Sequence, residues 1–350
     1  MTGADTPARL DWLDIARGIG IVLVATGHAL GGIIDSPMGA GRGDVRTAFF
    51  VIYTFHMPLF FILSGAMVAR RVNRNRGDFA GTLVSDLVWP YFLWSTIQFT
   101  LILTLGGLVN HPITALWPTL SALWSTPISQ FWFLYALFIL HGIAILTLKL
   151  LGRDGFLLLC LALKPLGMIV AMPLVLRLAA NQAPWYGIGV FLAAQGLADL
   201  LTTRRDWVRA IMVPVSAAVL IACAFVAAPG FYAGVDMQNA AAPVVAGLAW
   251  NMAVFPAGLL GAFAVIGIAA FDMGKIGQAL AFLGRRSMPI FILHIMCIAC
   301  VRIVATKFFG VTDLRVLLPL MIVFGLAGPL VAFQIAARLG CNRWLGLGRF

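Results

Sequence analysis

An arginine and a histidine lie eleven residues apart in the first apolar run of the chain, at Arg17 and His28. On a helix this spacing corresponds to about 16 Å of rise and about 20° of azimuth, so both side chains share one face at two depths. A neutral imidazole at such a depth can accept a proton at physiological pH. Asp14, three residues before Arg17, is a candidate supporting group. The alternative interpretation is a structural histidine that bonds a neighbouring helix.

Two further histidines lie inside apolar runs. His56 precedes Met57-Pro58, which is expected to kink its helix and turn the imidazole toward a cavity shared with His28. His294 lies two turns into a run that begins near Ser287, a residue suited to cap that helix. Polar groups are costly in lipid unless they face protein or water, so these positions are functional candidates, although each can still be structural.

A basic cluster follows the second apolar run, and Arg71 and Arg74 lie three residues apart within it. This i, i+3 spacing lets two guanidinium groups converge on one phosphate cluster. The alternative is a patch that ends the span and meets anionic lipid headgroups. Farther along, Trp132 and Tyr135 form an aromatic edge that suits either anchoring at the membrane interface or stacking on a sugar ring.

The composition requires a membrane environment for the elements that position these residues. Of 350 residues, 61% are hydrophobic and only 11% are charged, whereas charged residues make up about a quarter of ordinary soluble domains. We therefore predict an all-α fold, a polytopic transmembrane helical bundle of about ten spans. The net charge of +11 is explained by membrane sidedness, so no nucleic-acid partner is expected. The chain contains no Glu, which removes the familiar Glu-dependent metal motifs, and no metal is predicted.

The apolar runs and the charges between them define a topology. Lys and Arg concentrate on the side that both termini share, which predicts that both termini are cytoplasmic. No linker or soluble domain is evident, so residues 1–350 are expected to form one integral membrane domain. The predicted spans lie near residues 15–34, 48–69, 82–107, 130–150, 155–175, 184–201, 207–228, 243–270, 286–306 and 315–338.

Together these motifs resemble the acyltransferase 3 family of integral membrane acyltransferases, especially its fucose 4-O-acetylase-like branch. Asn73 and Asn75 dilute the basic cluster relative to the family pattern, and no fused esterase-like domain is expected after the last span. The resemblance rests on five motifs in the expected order: Arg17-x10-His28, Phe55 to Gly65, Arg71-x2-Arg74, Phe131 to Leu137, and Ser287 to His294.

The resemblance implies transfer of an acyl group, usually acetyl, from cytoplasmic acyl-CoA to a hydroxyl of a cell-surface or lipid-linked saccharide. Such an acceptor is of the exopolysaccharide or lipopolysaccharide type, and the expected location is the bacterial cytoplasmic (inner) membrane. Acetyl-CoA is then the acyl donor, and the lipid bilayer surrounds the helices. A secondary transporter or flippase for a saccharide or small solute is the alternative, since buried His and Arg also mark substrate pathways.

Under this resemblance the candidate residues take distinct roles. Arg71 and Arg74, together with Arg17, hold the phosphates of CoA or gate the thioester, because the anionic head and long arm of CoA match cations at the mouth and a base deeper in the membrane. His28 either deprotonates the acceptor hydroxyl or takes part in an acyl relay. The remaining candidates are the supporting groups His56 and Asp14, which join Arg17 and His28 in the catalytic set, and the substrate-binding groups Trp132, Tyr135 and His294.

Overall fold

Helices account for nearly all of the chain whose structure is described. A computed structural model describes residues 11–74, 76–127, 129–194, 213–215, 217–218 and 244–348, and these ranges contain no β-strand. Within them, six helical stretches are long and apolar enough to cross a membrane. The predicted all-α membrane fold is therefore confirmed. The count of ten spans and the cytoplasmic position of both termini stay predictions, since the run at 207–228 lies almost entirely outside the described residues.

Most described helices coincide with the predicted apolar runs, but one begins at Leu174, ten residues before the predicted span 184–201. The helices are α1 Asp11–Ile34, α2 Gly43–Arg74, α3 Arg76–Leu83, α4 Trp89–Leu105, α5 Leu116–Ser121, α6 Trp132–Ile169, α7 Leu174–Ala194, α8 Val244–Ala269, α9 Gly274–Arg285, α10 Ser287–Ile303 and α11 Leu314–Arg338. Of these, α2 contacts α1, α7 and α8, while α1 also packs against α9, α10 and α11, so α1 and α2 lie at the centre of the helix contacts.

Glycines bring α1 against α9 at backbone distance. A Cβ atom added to Gly18 of α1 would overlap the carbonyl oxygen of Leu280, and one added to Gly284 of α9 would overlap the carbonyl oxygen of Asp14. Small residues permit this close approach between membrane helices, where van der Waals packing replaces the hydrophobic effect as the attraction. The first helix is thus fixed in register against α9.

α2 and α7 meet in the same way. A Cβ atom at Gly65 would overlap the carbonyl oxygen of Tyr186, and one at Gly189 would overlap the carbonyl oxygen of Ile62. The Ser64-Gly65 pair of the second apolar run is therefore part of a helix contact, and α2 is held between α1 and α7.

The backbone of α6 is interrupted at Gly152, where φ is 64° and ψ is −178°. Such a positive φ is accessible to glycine at little steric cost. The interruption lies between the predicted spans 130–150 and 155–175, so the two apolar runs are separated by a local change of backbone direction. Pro165 remains inside α6, whereas Pro173 lies between α6 and α7.

The start of α10 differs from the predicted cap. Ser287 is the first residue of the helix, and Arg286 occupies the capping position without a side-chain hydrogen bond to the helix. The expected Ser287 cap is wrong because the helix begins one residue earlier than a serine cap requires. His294 still lies two turns into the helix, as the spacing predicts.

Candidate functional site

Three helices bring four ring side chains together in a histidine cluster, which consists of His28, Tyr53, His56 and His294. The ring centroids of His28 and His294 lie 4.9 Å apart, although they belong to α1 and α10. Tyr53 of α2 lies 5.9 Å from His28 and 4.7 Å from His56, both centroid to centroid. The three histidines singled out in the sequence are therefore neighbours in the structure, and Tyr53 links two of them.

Backbone carbonyls define the tautomers of two of these histidines. Nδ1 of His56 lies 2.7 Å from the carbonyl oxygen of Ile52, and Nδ1 of His294 lies 2.7 Å from that of Phe291. A carbonyl oxygen only accepts, so each Nδ1 donates and each Nε2 of the neutral ring is an acceptor. Nε2 of His294 is buried and has no hydrogen-bond partner among the described residues. This nitrogen is available to accept a hydrogen bond from a ligand.

His28 is partly exposed and is oriented by Tyr53. Its Nδ1 lies 3.2 Å from the Tyr53 hydroxyl, and the Tyr53 ring stacks on Phe49 with centroids 3.8 Å apart. The stacked ring fixes the position of the hydroxyl, which in turn restrains the imidazole. The remaining ring nitrogen of His28, Nε2, is the one left for chemistry.

Two buried glutamines lie beside α10 near His294. Nε2 of Gln130 donates to Oε1 of Gln98 at 2.8 Å and to the carbonyl oxygen of Ile292 at 3.5 Å. Both side chains are almost fully buried. Buried amides that satisfy one another rigidify their surroundings, so this pair restrains the part of α10 that carries His294.

A second feature, the basic cavity, lies where α1 begins and α2 ends. Its volume is about 660 Å³, within the usual range for small-molecule sites. Three arginines line it, from α1, α2 and the segment after α11. The lining comprises Arg17, Ser64, Met67, Val68, Arg71, Asp78, Phe79, Thr82, Leu83, Ser85, Asp86, Leu87, Leu137, His141, Met288, Arg343, Gly346 and Gly348.

Arg17 is held at the wall of this cavity by α1 and α2. Its Nη2 lies 2.9 Å from Sδ of Met67, and its Nη1 lies 4.0 Å from Oδ1 of Asp14. The other carboxylate oxygen of Asp14 lies 3.8 Å from Nη1 of Arg285. Asp14 thus bridges two guanidinium groups, one of which lines the basic cavity.

Arg17 and His28 both contact α2, at two distant levels of that helix. Arg17 meets Met67 near the end of α2, and His28 meets Tyr53 in its first half. This arrangement agrees with the shared face expected from their spacing. The basic cavity and the histidine cluster consequently lie at two depths along the same helix pair.

Arg71 belongs to an aromatic wall of the cavity. Its guanidinium lies 5.7 Å from the ring centroid of Phe79, and Phe79 lies 5.2 Å from the ring of His141. Nδ1 of His141 lies 2.6 Å from the Tyr186 hydroxyl. Arg74 ends α2, but its side chain lies outside the described residues, so convergence of Arg71 and Arg74 stays a prediction.

The aromatic edge at the start of α6 does not line the basic cavity. Trp132 stacks on Phe61 with centroids 6.2 Å apart, and the Tyr135 hydroxyl donates to the carbonyl oxygen of Trp124 at 3.0 Å. These contacts are packing and anchoring contacts, and sugar binding by either residue stays a prediction.

Sequence reasoning missed three residues of these features. Tyr53 lies one turn before His56, and that spacing alone was a usable signal. His141 is the fourth of the five histidines and stands in an otherwise ordinary apolar run, while Arg343 follows the last span without a motif. These residues belong to the histidine cluster or the basic cavity only because of the way the helices pack, which the sequence of one run does not show.

Comparisons with known proteins give one family match and one relative that is similar over part of its length. A family model described as an acyltransferase domain matches residues 10–334. The nodulation protein NolL of Mesorhizobium japonicum (strain LMG 29417 / CECT 9101 / MAFF 303099) is 35% identical to the chain over 127 residues. That match covers 36% of this chain and 32% of NolL, so it spans about a third of the length of this curated relative. No solved structure matches the chain.

Proposed function

Since the chain belongs to the acyltransferase 3 family, we propose that it is a membrane O-acyltransferase that moves an acetyl group from acetyl-CoA to a saccharide hydroxyl. One observation carries the proposal: a basic cavity and a histidine cluster lie at two depths of the same helix pair. The first suits an anionic donor head, and the second suits proton transfer at the reacting end of a long donor arm.

The donor binds with its phosphates in the basic cavity. Arg17 and Arg71 line this cavity from α1 and α2, and guanidinium groups form short, charge-assisted hydrogen bonds to phosphate oxygens. Arg74, which ends α2, is the further phosphate ligand of this proposal. The pantetheine arm then runs along α1 toward His28, over a helix rise of about 16 Å between the two functional residues.

His28 acts as the general base and then as the acid. In the tautomer that this step requires, Nδ1–H of His28 donates to the Tyr53 oxygen, and Nε2 removes the proton from the acceptor hydroxyl as that oxygen attacks the thioester carbonyl. A new C–O bond forms and the C–S bond breaks. The proton on Nε2 passes to the departing sulfur, which releases CoA as a free thiol and returns His28 to its neutral form.

The acceptor approaches from the opposite side of the cluster. Nε2 of His294 is a buried acceptor that can receive a hydrogen bond from a second sugar hydroxyl, while His56 supports Tyr53. Trp132 and Tyr135 contact the sugar ring at the aromatic edge. A lipid-linked or cell-surface saccharide in the bacterial inner membrane is the acceptor class that these features fit.

Labelled acetyl-CoA supplied to purified protein in liposomes, without an ion gradient, tests the proposal. An acyltransferase releases CoA thiol and transfers label to saccharide extracted from the host envelope, whereas a transporter leaves the saccharide chemically unchanged. Mass spectrometry of surface polysaccharide from cells with and without the protein identifies the modified unit. Unaltered polysaccharide together with no thiol release would refute the proposal.

A further inference from the structure

The segment after α11 folds back onto the start of α4. We define residues 340–348 as the tail segment. Nε1 of Trp89 donates to the carbonyl oxygen of Trp344 at 2.6 Å, and Nε1 of Trp94 donates to that of Leu345 at 2.7 Å. Because the two indole N–H groups bind the carbonyl oxygens of two consecutive residues, they fix both the position and the direction of the tail segment.

A tight turn and a buried side chain complete this attachment. Gly346 has a φ of 63°, and a Cβ atom there would lie 2.5 Å from Cγ of Pro90. Leu347 is 2% exposed, and Nδ2 of Asn342 donates to the carbonyl oxygen of Gly348 at 3.2 Å. The tail segment is therefore a packed element with a defined conformation, in which Gly346 fits against Pro90.

The tail segment supplies one wall of the basic cavity. Arg343, Gly346 and Gly348 line it, together with Arg17 and Arg71. Arg343 forms no ion pair with any carboxylate among the described residues, and its side chain is exposed. Two carboxylates, Asp78 and Asp86, also line the cavity, so its three guanidinium groups leave an excess of positive charge there. The cavity thus gains a cation from a third part of the chain.

We propose that the tail segment forms part of the acyl-CoA site and that Arg343 binds a phosphate group of the donor. The inference rests on the proposed function and extends it to a segment that carries none of the recognised motifs. Trp89 and Trp94 are positioning residues, because they hold the backbone that carries Arg343. Their indole N–H groups bind the backbone of the tail segment and do not touch acetyl-CoA.

Substitution of Arg343 with a matched control tests the inference. Arg338, five residues earlier at the end of α11, is also exposed but does not line the cavity. Full-length Arg343→Gln should raise KM for acetyl-CoA and Kd for CoA about tenfold, the usual effect of one charge-assisted hydrogen bond. Its kcat should change less than about twofold, because Arg343 lies far from the reacting atoms. Arg338→Gln should match wild type.

Two further variants keep the test independent of folding. Arg343→Lys keeps the charge but loses the fork geometry, so it should bind CoA better than Arg343→Gln and less well than wild type. Trp94→Phe removes one anchoring donor and should raise KM for acetyl-CoA by a smaller factor, with kcat unchanged. CoA binding by calorimetry and gel-filtration profiles are measured for every variant.

The outcomes separate the inference from the proposed function. Equal CoA affinity in Arg343→Gln and Arg338→Gln, with wild-type transfer intact, overturns the inference and leaves the function standing. A wild-type protein that neither binds CoA nor transfers acetyl overturns both. A selective loss of CoA affinity in Arg343→Gln, partly restored in Arg343→Lys, supports the inference.

Discussion

The imidazoles of His28 and His294 lie 4.9 Å apart, centroid to centroid, at the contact between α1 and α10. One ring is oriented by a tyrosine hydroxyl and the other by backbone carbonyls of its own helix. Both histidines therefore present Nε2 to the same region, but their rings are held by different kinds of partner. This asymmetry suits a base on one side and a fixed hydrogen-bond acceptor on the other.

Replacement of His28 by alanine should reduce kcat for acetyl transfer about 10³-fold, because general base catalysis is lost. The protein should still insert and purify as wild type, since His28 is only partly buried. His111→Ala is the control: this histidine pairs with Asp35 at an exposed site and should transfer at the wild-type rate. Substantial activity in His28→Ala would remove this residue from the mechanism.

Tyr53→Phe should lower kcat about 10-fold or more while KM for acetyl-CoA stays near wild type. The phenylalanine keeps the ring stacked on Phe49 and loses only the hydroxyl beside Nδ1 of His28. The donor affinity is spared because the basic cavity lies at the other depth of the helix pair. Steady-state kinetics decide: a raised KM with unchanged kcat would place Tyr53 in donor binding instead.

Arg71→Gln should raise KM for acetyl-CoA about tenfold and weaken its dependence on salt. Arg71 lines the basic cavity over the Phe79 ring, where added salt competes with the phosphates of the donor. KM for acetyl-CoA is measured for both proteins between low and high ionic strength. Arg153→Gln, at the turn of α6 and away from the cavity, is the matched control. Identical salt slopes in Arg71→Gln and wild type would contradict a phosphate contact.

Gly284→Ala should destabilise the protein and lower its melting temperature by about 5 °C or more. A methyl group there overlaps the carbonyl oxygen of Asp14, whereas Gly142 of α6 has open space around its Cα. Gly142→Ala should therefore be neutral or slightly stabilising, since alanine favours helix. Thermal unfolding in one detergent compares the pair, and equal melting temperatures would show that the α1–α9 contact can relax.

Much of the helix pattern and part of the site could be predicted from the sequence. The run lengths located α1, α2, α10 and α11, and eleven-residue spacing placed Arg17 and His28 on the face of α1 that meets α2. These features depend on the periodicity of residues within one apolar run, so they can be read from that run alone.

Features that join distant runs could not be predicted. The Trp89 and Trp94 contacts to the tail segment require that α4 and the end of α11 be neighbours, and no spacing within one run encodes this. The same is true of Gly18 against α9, since only the partner backbone shows why a Cβ is excluded. Even the local cap at Ser287 was misplaced, because a one-residue shift of the helix start removes its function.

The first helix has a consequence for which acyl donors the proposed mechanism admits. Arg17 and His28 stand on one continuous helix, so the separation of the proposed anion site from the proposed base is constant. A compact donor such as acetyl phosphate can occupy one end or the other, but it is too short to reach both at once. Under the proposed mechanism, discrimination against such short donors therefore follows from their length, whatever acyl group they carry.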